Sequence, residues 1–294
     1  MTKIIENLDQ ISDRYEAVFC DLWGCLHNGV KPFPQAVAAL EKFREKGGKV
    51  LLLTNAPRPA PVVHQQLDRI GVDPALYDGI VASGDAARAA MASGAFGTKV
   101  YHIGPPKDDS FFENLEAEDF YRGKDIERVP LDEAESVVCT GLLDDRTETP
   151  DDYRAVLLKA KIGGLKLLCA NPDIIVHFGD ETLYCAGALA AAYTEMGGES
   201  LYFGKPHPPI YELARNRLTA IAGRVIADNK ILCIGDGINT DIQGAIAEDL
   251  DSLFVAGGIA SDKTMTNGRV DPARLTAFLD ALQLTPTYSI AHLR

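Results

Sequence analysis

Long apolar runs are absent from this chain. No stretch of about 18 apolar residues occurs, which is the length that a membrane-spanning helix needs. The first residues, Met1–Asn7, do not have the pattern of a secretory signal peptide, so we expect a cytoplasmic protein with no membrane partner. The six cysteines are scattered and form no Cys-x-x-Cys pair. We interpret them as buried free thiols in a reducing compartment.

An excess of positive charge is also missing. The chain has 29 Lys and Arg residues against 42 Asp and Glu residues, and its formal net charge of −13 argues against nucleic acid as a main partner. It does not exclude an anionic small molecule, because a metal ion and one lysine can set the field inside a site. The sequence contains no GxxxxGK[ST], GxGxxG or GxSxG motif. Nucleotide-loop and serine-hydrolase interpretations therefore have no support.

Short apolar runs that end in polar residues are what the chain does contain. Such runs are typical of buried parallel strands, and in open α/β sheets ligands bind beyond the carboxyl ends of those strands. If the strands are neighbours, the polar residues converge on one small site. The runs and the residues that follow them are Ala17–Cys20 with Asp21, Val50–Leu53 with Thr54 and Asn55, Leu201–Gly204 with Lys205, and Ile231–Gly235 with Asp236 and Asp241.

The chemistry of these residues points to phosphoryl transfer. Asp21, Asp236 and Asp241 outweigh Lys205, so the predicted site is negative and favours a hard cation with oxygen ligands, most naturally Mg²⁺. We expect Mg²⁺ rather than Zn²⁺, because no His or Cys cluster accompanies these aspartates. An aspartate, a cation and a lysine suit the transfer of a phosphoryl group, in which a protein mainly positions groups and stabilises charge.

The order of predicted elements indicates two α/β units. Strands alternate with amphipathic helices, which predicts a doubly wound parallel sheet. Alanine-rich stretches at 82–95 and 186–192 flank a second unit of the same kind, so we predict a core domain at 1–82 and 200–294 with an inserted α/β domain at 83–199. The insert is predicted to have strands at Lys99–Ile103, Ser136–Thr140 and Leu165–Ala170 and helices near Phe111–Phe120 and Asp151–Lys161.

At this point the sequence resembles a known family. Asp21–Gly24, Thr54-Asn55, Gly204–Pro206 and Gly235–Asp241 are similar, in order, to the four motifs of the haloacid dehalogenase (HAD) superfamily, most of whose members are Mg²⁺-dependent phosphatases. The long insert resembles that of the class IIA, NagD-like branch, and Asn171–Asp173 is similar to a sequence in the caps of that branch. The resemblance implies a Rossmann-like HAD core with an inserted α/β cap.

The resemblance also implies roles for individual residues. Asp21 would attack phosphorus and form an aspartyl-phosphate, which water then hydrolyses. Thr54 and Asn55 would donate hydrogen bonds to the phosphate oxygens, and Lys205 would neutralise charge on the phosphate and the nucleophile. The Mg²⁺ ligands would be the side chains of Asp21 and Asp236 and the main-chain carbonyl of residue 23, with support from Asp241.

One residue departs from the family pattern. Phosphatases of the family usually carry a second aspartate two residues after the nucleophile, where this chain has Trp23. We therefore expect a phosphohydrolase for a small phosphorylated metabolite with a good leaving group. The alternative is a phosphate-binding or regulatory protein with little or no turnover, and a weaker one is C–P or C–halogen cleavage. His27 and His207 are alternative proton donors, and homo-oligomerisation stays open.

Overall fold

Two compact units make up the protein. The structure is a computed structural model that describes residues 2–117, 121, 123, 125–178 and 181–294. The first unit consists of Met1–Thr54, His64–Val81 and Tyr211–Arg294, and the second of Asn55–Val63 and Ala82–Ile210. The second unit therefore contains all of the predicted insert at 83–199 together with flanking residues. The domain boundaries themselves stay a prediction.

A seven-stranded sheet forms the centre of the first unit. Its strand Ala17–Cys20 runs parallel to both of its neighbours and is fully buried. Burial of both faces explains why this strand is a continuous apolar run rather than an alternating one. In spatial order the strands are Lys3–Ile4, Tyr288–Ile290, Asp251–Val255, Ile231–Gly235, Ala17–Cys20, Lys49–Thr54 and Gly79–Ala82. A short antiparallel pair, Met265–Thr266 with Arg269–Val270, lies outside that sheet.

The helices begin and end where local sequence signals indicate. In Pro34–Glu45 a proline occupies the first turn, where its missing N–H costs nothing, and Leu40 and Phe43 are buried. Gly47 follows with a φ of +90°, a conformation that suits glycine after a helix end. The α-helices are Asp9–Ser12, Pro34–Glu45, Ala60–Arg69, Ser83–Ala92, Arg154–Ile162, Ala186–Glu195, Pro208–Ala222, Gln243–Ala247, Ser261–Thr264 and Pro272–Leu282.

The second unit has a parallel sheet of its own. Val137 and Leu167 belong to one apolar cluster, and the next residues along, Val138 and Leu168, belong to another. Because successive strand residues point to opposite faces, this sheet too is covered on both sides. Its strands, in spatial order, are Glu199–Tyr202, Lys166–Cys169, Ser136–Cys139, Lys99–Ile103 and Glu127–Arg128, and a separate antiparallel pair joins Ile175–Phe178 to Glu181–Tyr184.

These two parallel-sheet units confirm the predicted fold class. Two details of the prediction are wrong. The strand before Lys205, Glu199–Tyr202, is not a strand of the seven-stranded sheet, because it pairs with Lys166–Cys169 in the second unit. The predicted helix near 111–120 is replaced by 3₁₀ turns at Pro106–Phe112 and Leu115–Ala117, and residues 118–120 lie outside the described residues. Among the helices of the described ranges, none is long and apolar enough to cross a bilayer.

Candidate active site

Neighbouring strands of the first unit end in three of the predicted site residues. Cys20 is in register with Ile234 on one side and with Leu52 on the other. Asp21 therefore lies just beyond the central strand, and its main-chain N–H donates to the carbonyl of Ile234 at 2.8 Å. Asp236 follows the adjacent strand, and Thr54 is the last residue of the strand on the other side. All three lie at the carboxyl edge, where α/β sheets bind ligands.

Asp236 is held in a tight main-chain cradle. Its Oδ2 accepts a hydrogen bond from the N–H of Ile259 at 2.9 Å. A Cβ atom built on Gly24 would lie 1.9 Å from that oxygen, and one built on Gly258 would lie 2.1 Å from it. Real side chains never approach so closely, so both positions require glycine for this placement of the carboxylate. Gly24, the last residue of the Asp21–Gly24 motif, thus makes room for a residue more than 200 positions away in the chain.

Gly24→Ala is expected to disturb the carboxylate of Asp236 and to cost stability. Gly24 has a φ of +73°, and a non-glycine residue in that region costs about 1–3 kcal/mol. Gly47→Ala is the matched control, since Gly47 has a φ of +90° and a Cβ atom added there would meet nothing within 4 Å. Thermal unfolding should show a loss in both variants, and Mg²⁺ titration should show weaker binding only in Gly24→Ala. Equal Mg²⁺ affinity in the two variants would contradict the conclusion that glycine at position 24 is needed to place the Asp236 carboxylate.

A group able to hold a cation lies at this edge. One carboxylate oxygen each from Asp21 and Asp236 and the Sγ of Cys25 all lie within 4.8 Å of one another. Burial, followed by the charges of Asp236 and Asp21, raises the pKa of the Cys25 thiol well above its ordinary value. The sequence predicts no His or Cys cluster near these aspartates, and the structure adds one thiol, that of Cys25. The signal was present in the sequence, because Cys25 is four residues after Asp21 and a tight turn brings such residues together.

Asp241 supports the loop that follows Asp236. It lies in a π-helical turn, Ile238–Ile242, and its Oδ2 accepts hydrogen bonds from the N–H of Gly237 at 3.0 Å and from the hydroxyl of Thr240 at 3.5 Å. A Cβ atom on Gly235 would lie 2.1 Å from its Cγ. π-helical turns are rare and occur frequently at functional sites. This arrangement suits a residue that orients the Asp236 loop.

The indole of Trp23 packs on the loop that follows it. Its ring meets the ring of His27 edge to face, with 5.2 Å between the centroids. A Cβ atom on Gly29 would lie 2.3 Å from Cη2 of the indole, so that glycine is required for the packing. The Nδ1 of His27 accepts a hydrogen bond from the N–H of Gly29 at 2.9 Å, and burial lowers the pKa of His27 to about 4. At neutral pH this imidazole is uncharged, so it is not an imidazolium acid.

Asn55 and Lys205 lie together in the second unit. The side-chain amide of Asn55 donates to Asp173 Oδ1 at 2.8 Å and to the carbonyl of Lys205 at 3.1 Å, while its Oδ1 accepts from the N–H of Lys205 at 2.7 Å. A Cβ atom on Gly204 would lie 2.4 Å from that Oδ1. Asp173 N–H in turn donates to Asn171 Oδ1 at 3.0 Å. The sequence Asn171–Asp173 therefore fixes the amide that orients Lys205.

Other polar side chains of the second unit have local partners. Asp145 forms an ion pair with Lys107 at 2.7 Å, and Arg146 forms one with Glu181 at 2.5 Å. His207 stacks on Tyr202, with 4.8 Å between the ring centroids, and burial lowers its pKa. These contacts suit structural roles. The predicted site residues thus fall into one group in each unit, and their action as a single site stays a prediction.

The fold and the carboxylate pair define a parallel-sheet α/β protein with acidic side chains that could hold a cation at its carboxyl edge. Family models match in two places: a haloacid dehalogenase-like hydrolase over residues 18–118 and a HAD-hydrolase-like protein over residues 202–283. The crystal structure of a haloacid dehalogenase-like hydrolase from Brucella suis 1330 is 41% identical, has a TM-score of 0.85, and is aligned over 99% of this chain and 100% of that one. The chain belongs to the haloacid dehalogenase-like hydrolases.

Characterised relatives place it further within the family. The ribonucleotide monophosphatase NagD of Escherichia coli is 27% identical over 248 residues, which is 83% of this chain and 88% of that protein. The dihydroxyacetone phosphatase of Corynebacterium glutamicum is 30% identical over 102 residues, and the match spans about a third of each protein, 34% of this chain and 35% of the relative. The predicted family, its NagD-like branch and the assignment as a hydrolase are confirmed.

Proposed function

We propose that this protein is a Mg²⁺-dependent phosphohydrolase that acts on a small phosphorylated metabolite through an aspartyl-phosphate on Asp21. The observation that carries the proposal is the placement of the Asp21 and Asp236 carboxylates within 4.8 Å of each other at the carboxyl edge of the central strands. Two carboxylates so close in a mostly buried site repel each other unless a cation or a proton intervenes. The phosphatase names of the NagD and Corynebacterium relatives support the same reaction class.

The residues present fit a hard divalent cation. Carboxylates of Asp21 and Asp236, the main-chain carbonyl of Trp23 and, through its contacts with the Gly237 turn, Asp241 would hold it. A cation there would supply positive charge against the phosphate oxygens. The glycine cradle around Asp236 supports the assignment, because it fixes the position of this carboxylate beside that of Asp21.

The reaction follows from the chemistry of the side chains. An oxygen of Asp21 attacks phosphorus, the bond from phosphorus to the leaving oxygen breaks, and that oxygen takes a proton. Water then attacks the phosphorus of the aspartyl-phosphate, which releases inorganic phosphate and regenerates the carboxylate. Thr54 and Asn55 would donate hydrogen bonds to the phosphate, and Lys205 would neutralise its charge. The donor of Asn55 would be its main-chain N–H, because the two N–H groups of its side-chain amide donate to Asp173 and to the carbonyl of Lys205.

A second candidate is a phosphate-binding protein with little or no turnover. Trp23 favours it, since an indole packed on His27 and Gly29 provides no carboxylate where the phosphatases of the family have one. The two functions share the ligand site. They differ in whether Asp21 is phosphorylated and inorganic phosphate is then released. Turnover on a suitable substrate therefore distinguishes them.

The purified protein is expected to hydrolyse some members of a panel of phosphomonoesters, anhydrides and acyl phosphates when Mg²⁺ is present. Phosphate release would be measured for the native protein, for Asp236→Ala and for Asp280→Ala, a control that removes an exposed helix carboxylate. Asp236→Ala should weaken Mg²⁺ binding by calorimetry about tenfold or more. Unchanged Mg²⁺ affinity in Asp236→Ala would contradict the metal assignment, and phosphate binding without release would favour the second candidate.

A further inference from the structure

Cys25 gives the cation site a sulfur donor that its predicted function does not use. The Sγ lies within 4.8 Å of carboxylate oxygens of both Asp21 and Asp236, and the residue is 1% exposed. The inference rests on the proposed function only for the identity of Asp21 and Asp236 as cation ligands. It concerns which other cations the same site takes.

The thiol differs from other cysteines of the chain in its hydrogen bonding. Cys20, Cys139 and Cys169 each donate a hydrogen bond to a main-chain carbonyl, at 3.2, 3.9 and 3.2 Å. For Cys25, no hydrogen-bond partner occurs among the residues that the structure describes. A buried thiol is a weak donor that commonly packs as a small apolar group, so the inference depends on the position of this sulfur and not on its hydrogen bonding. Its neighbours are the two carboxylates that would bind the ion.

The loop holds Cys25 at this position. The N–H groups of Leu26 and His27 both donate to the carbonyl of Leu22, at 2.8 and 3.0 Å, and the N–H of Gly24 donates to the carbonyl of His27 at 3.0 Å. These bonds close a tight turn around Cys25. The thiol therefore stays beside the carboxylates and is not a flexible surface group.

The donor set suits a softer cation than Mg²⁺. When Zn²⁺ is bound by one thiolate and by carboxylates, the metal–sulfur distance is about 2.3 Å and the metal–oxygen distances are about 2.0–2.2 Å. In the tetrahedral arrangement that Zn²⁺ prefers, two such ligand atoms are about 3.4–3.6 Å apart, which is inside the 4.8 Å within which these three atoms lie. Mg²⁺ takes oxygen ligands in an octahedral arrangement and gains little from sulfur. Soft thiolate ligands bind Zn²⁺ better than hard cations such as Mg²⁺. At sites that combine nitrogen, oxygen and sulfur ligands, Zn²⁺ also binds more tightly than Mn²⁺ and Fe²⁺.

We propose that Cys25 is a third side-chain ligand for thiophilic divalent cations, of the Zn²⁺ and Cd²⁺ class, which compete with Mg²⁺ at Asp21 and Asp236. On binding, the Cys25 S–H bond breaks, its proton passes to solvent and the sulfur bonds to the metal, with no change of oxidation state. The charge of the cation offsets the two carboxylates that otherwise oppose a thiolate here.

Cd²⁺ titration of the full-length metal-free protein tests the proposal. The readouts are the thiolate-to-metal charge-transfer absorption in the ultraviolet and the calorimetric affinity, for the native protein, Cys25→Ser and Cys233→Ser. Cys233 is a matched control, because it is a buried thiol of the adjacent strand Ile231–Gly235. The absorption should disappear and the Cd²⁺ affinity fall about tenfold or more in Cys25→Ser. Cys233→Ser should retain both.

The outcomes separate this inference from the proposed function. Full charge-transfer absorption in Cys25→Ser, or equal loss in both variants, would overturn the role of Cys25 whatever the enzyme does. Conversely, a Cd²⁺ signal that requires Cys25 in a protein without phosphatase activity would support the inference and count against the proposed function. Asp236→Ala completes the design, since Cd²⁺ binding that does not need Asp236 would mean that the thiol acts outside the carboxylate site and would also overturn the proposal. Thermal unfolding of each variant checks that it is folded.

Discussion

Asp21→Asn is expected to abolish turnover while the protein remains folded. The amide keeps the shape of the side chain but is a poor nucleophile, and loss of an attacking residue typically reduces the rate by about three orders of magnitude or more. The fold should tolerate the change, because the main-chain bond from Asp21 to Ile234 does not involve the side chain. The measurements are steady-state phosphate release and the melting temperature.

Trapping of the intermediate gives this prediction a structural readout. A crystal soaked with Mg²⁺ and beryllium fluoride, which mimics the phosphoryl group on aspartate, should show the adduct on Asp21 in the native protein and no adduct in Asp21→Asn. Asp241→Asn is a comparison variant for a residue next to the site. Asp241 accepts hydrogen bonds from Gly237 and Thr240, so its replacement is expected to affect the site only indirectly, through this turn. An adduct on any residue other than Asp21 would show that the nucleophile has been assigned wrongly.

The sequence predicted the elements that depend on continuous apolar patterns. The strand Ala17–Cys20 and its two neighbours were predictable, because buried parallel strands are short, continuously apolar runs and each was followed by a polar residue. The strand Glu199–Tyr202 is predictable as a strand, but its partner is Lys166–Cys169 of the second unit and not a strand of the seven-stranded sheet. An apolar run specifies burial, whereas the choice of partner strand depends on long-range packing that a local pattern does not encode.

Contacts around the site are less predictable than the positions of its carboxylates. Asp21 and Asp236 follow strands and could be found from the sequence, but Cys25 joins them only because the Leu22–His27 turn closes tightly. The packing of Trp23 on Gly29 likewise depends on a turn whose geometry is set by several hydrogen bonds together. In the second unit, the contact of Asn55 with Asp173 joins residues 118 positions apart. Motif positions suggest chemistry, while neighbours of this kind depend on the tertiary fold.

Trp23→Asp is expected to raise the hydrolysis of alkyl phosphates more than that of aryl phosphates. In the phosphatases that this chain resembles, an aspartate at this position protonates the leaving oxygen and later takes a proton from the attacking water. An indole does neither near neutral pH. General acid–base catalysis contributes about 10²–10⁴-fold, or about 3–5 kcal/mol of barrier. Aryl phosphates have leaving groups of low pKa and need little protonation, so they should gain least.

The electrostatics of the site favour an acid at this position. Position 23 is two residues from Asp21, whose carboxylate lies beside that of Asp236, and like charges in the neighbourhood raise the pKa of a carboxyl group. A raised pKa keeps part of the new side chain protonated, which is the form that a leaving oxygen requires. Bound Mg²⁺ would work against this rise by neutralising the neighbouring charges. The gain should therefore depend on pH, with alkyl phosphate turnover lower where the new carboxyl is fully ionised.

Replacing the Trp23 indole also reduces stability, and the variant Trp23→Phe separates this effect from the change in proton transfer. The edge-to-face contact of Trp23 with His27 contributes about 0.5–1.5 kcal/mol beyond its buried area, and its removal also leaves space over Gly29. Trp23→Phe keeps an aromatic ring without adding a carboxyl, so it should show the packing loss and no change in the ratio of alkyl to aryl turnover. Melting temperature and Mg²⁺ affinity are measured for both variants, which separates damage to the loop from a change in proton transfer.

The native protein itself provides the decisive comparison for Trp23. If no group replaces the missing aspartate, kcat/KM for the unmodified chain should be far lower on a sugar phosphate than on an aryl or acyl phosphate. Efficient hydrolysis of a plain sugar phosphate would show that another residue supplies the proton. His27 is then the first residue to test, because it contacts Trp23 directly, yet burial lowers its pKa to about 4 and leaves it neutral at pH 7. A His27→Gln variant that keeps this activity would exclude it and direct attention to groups of the second unit.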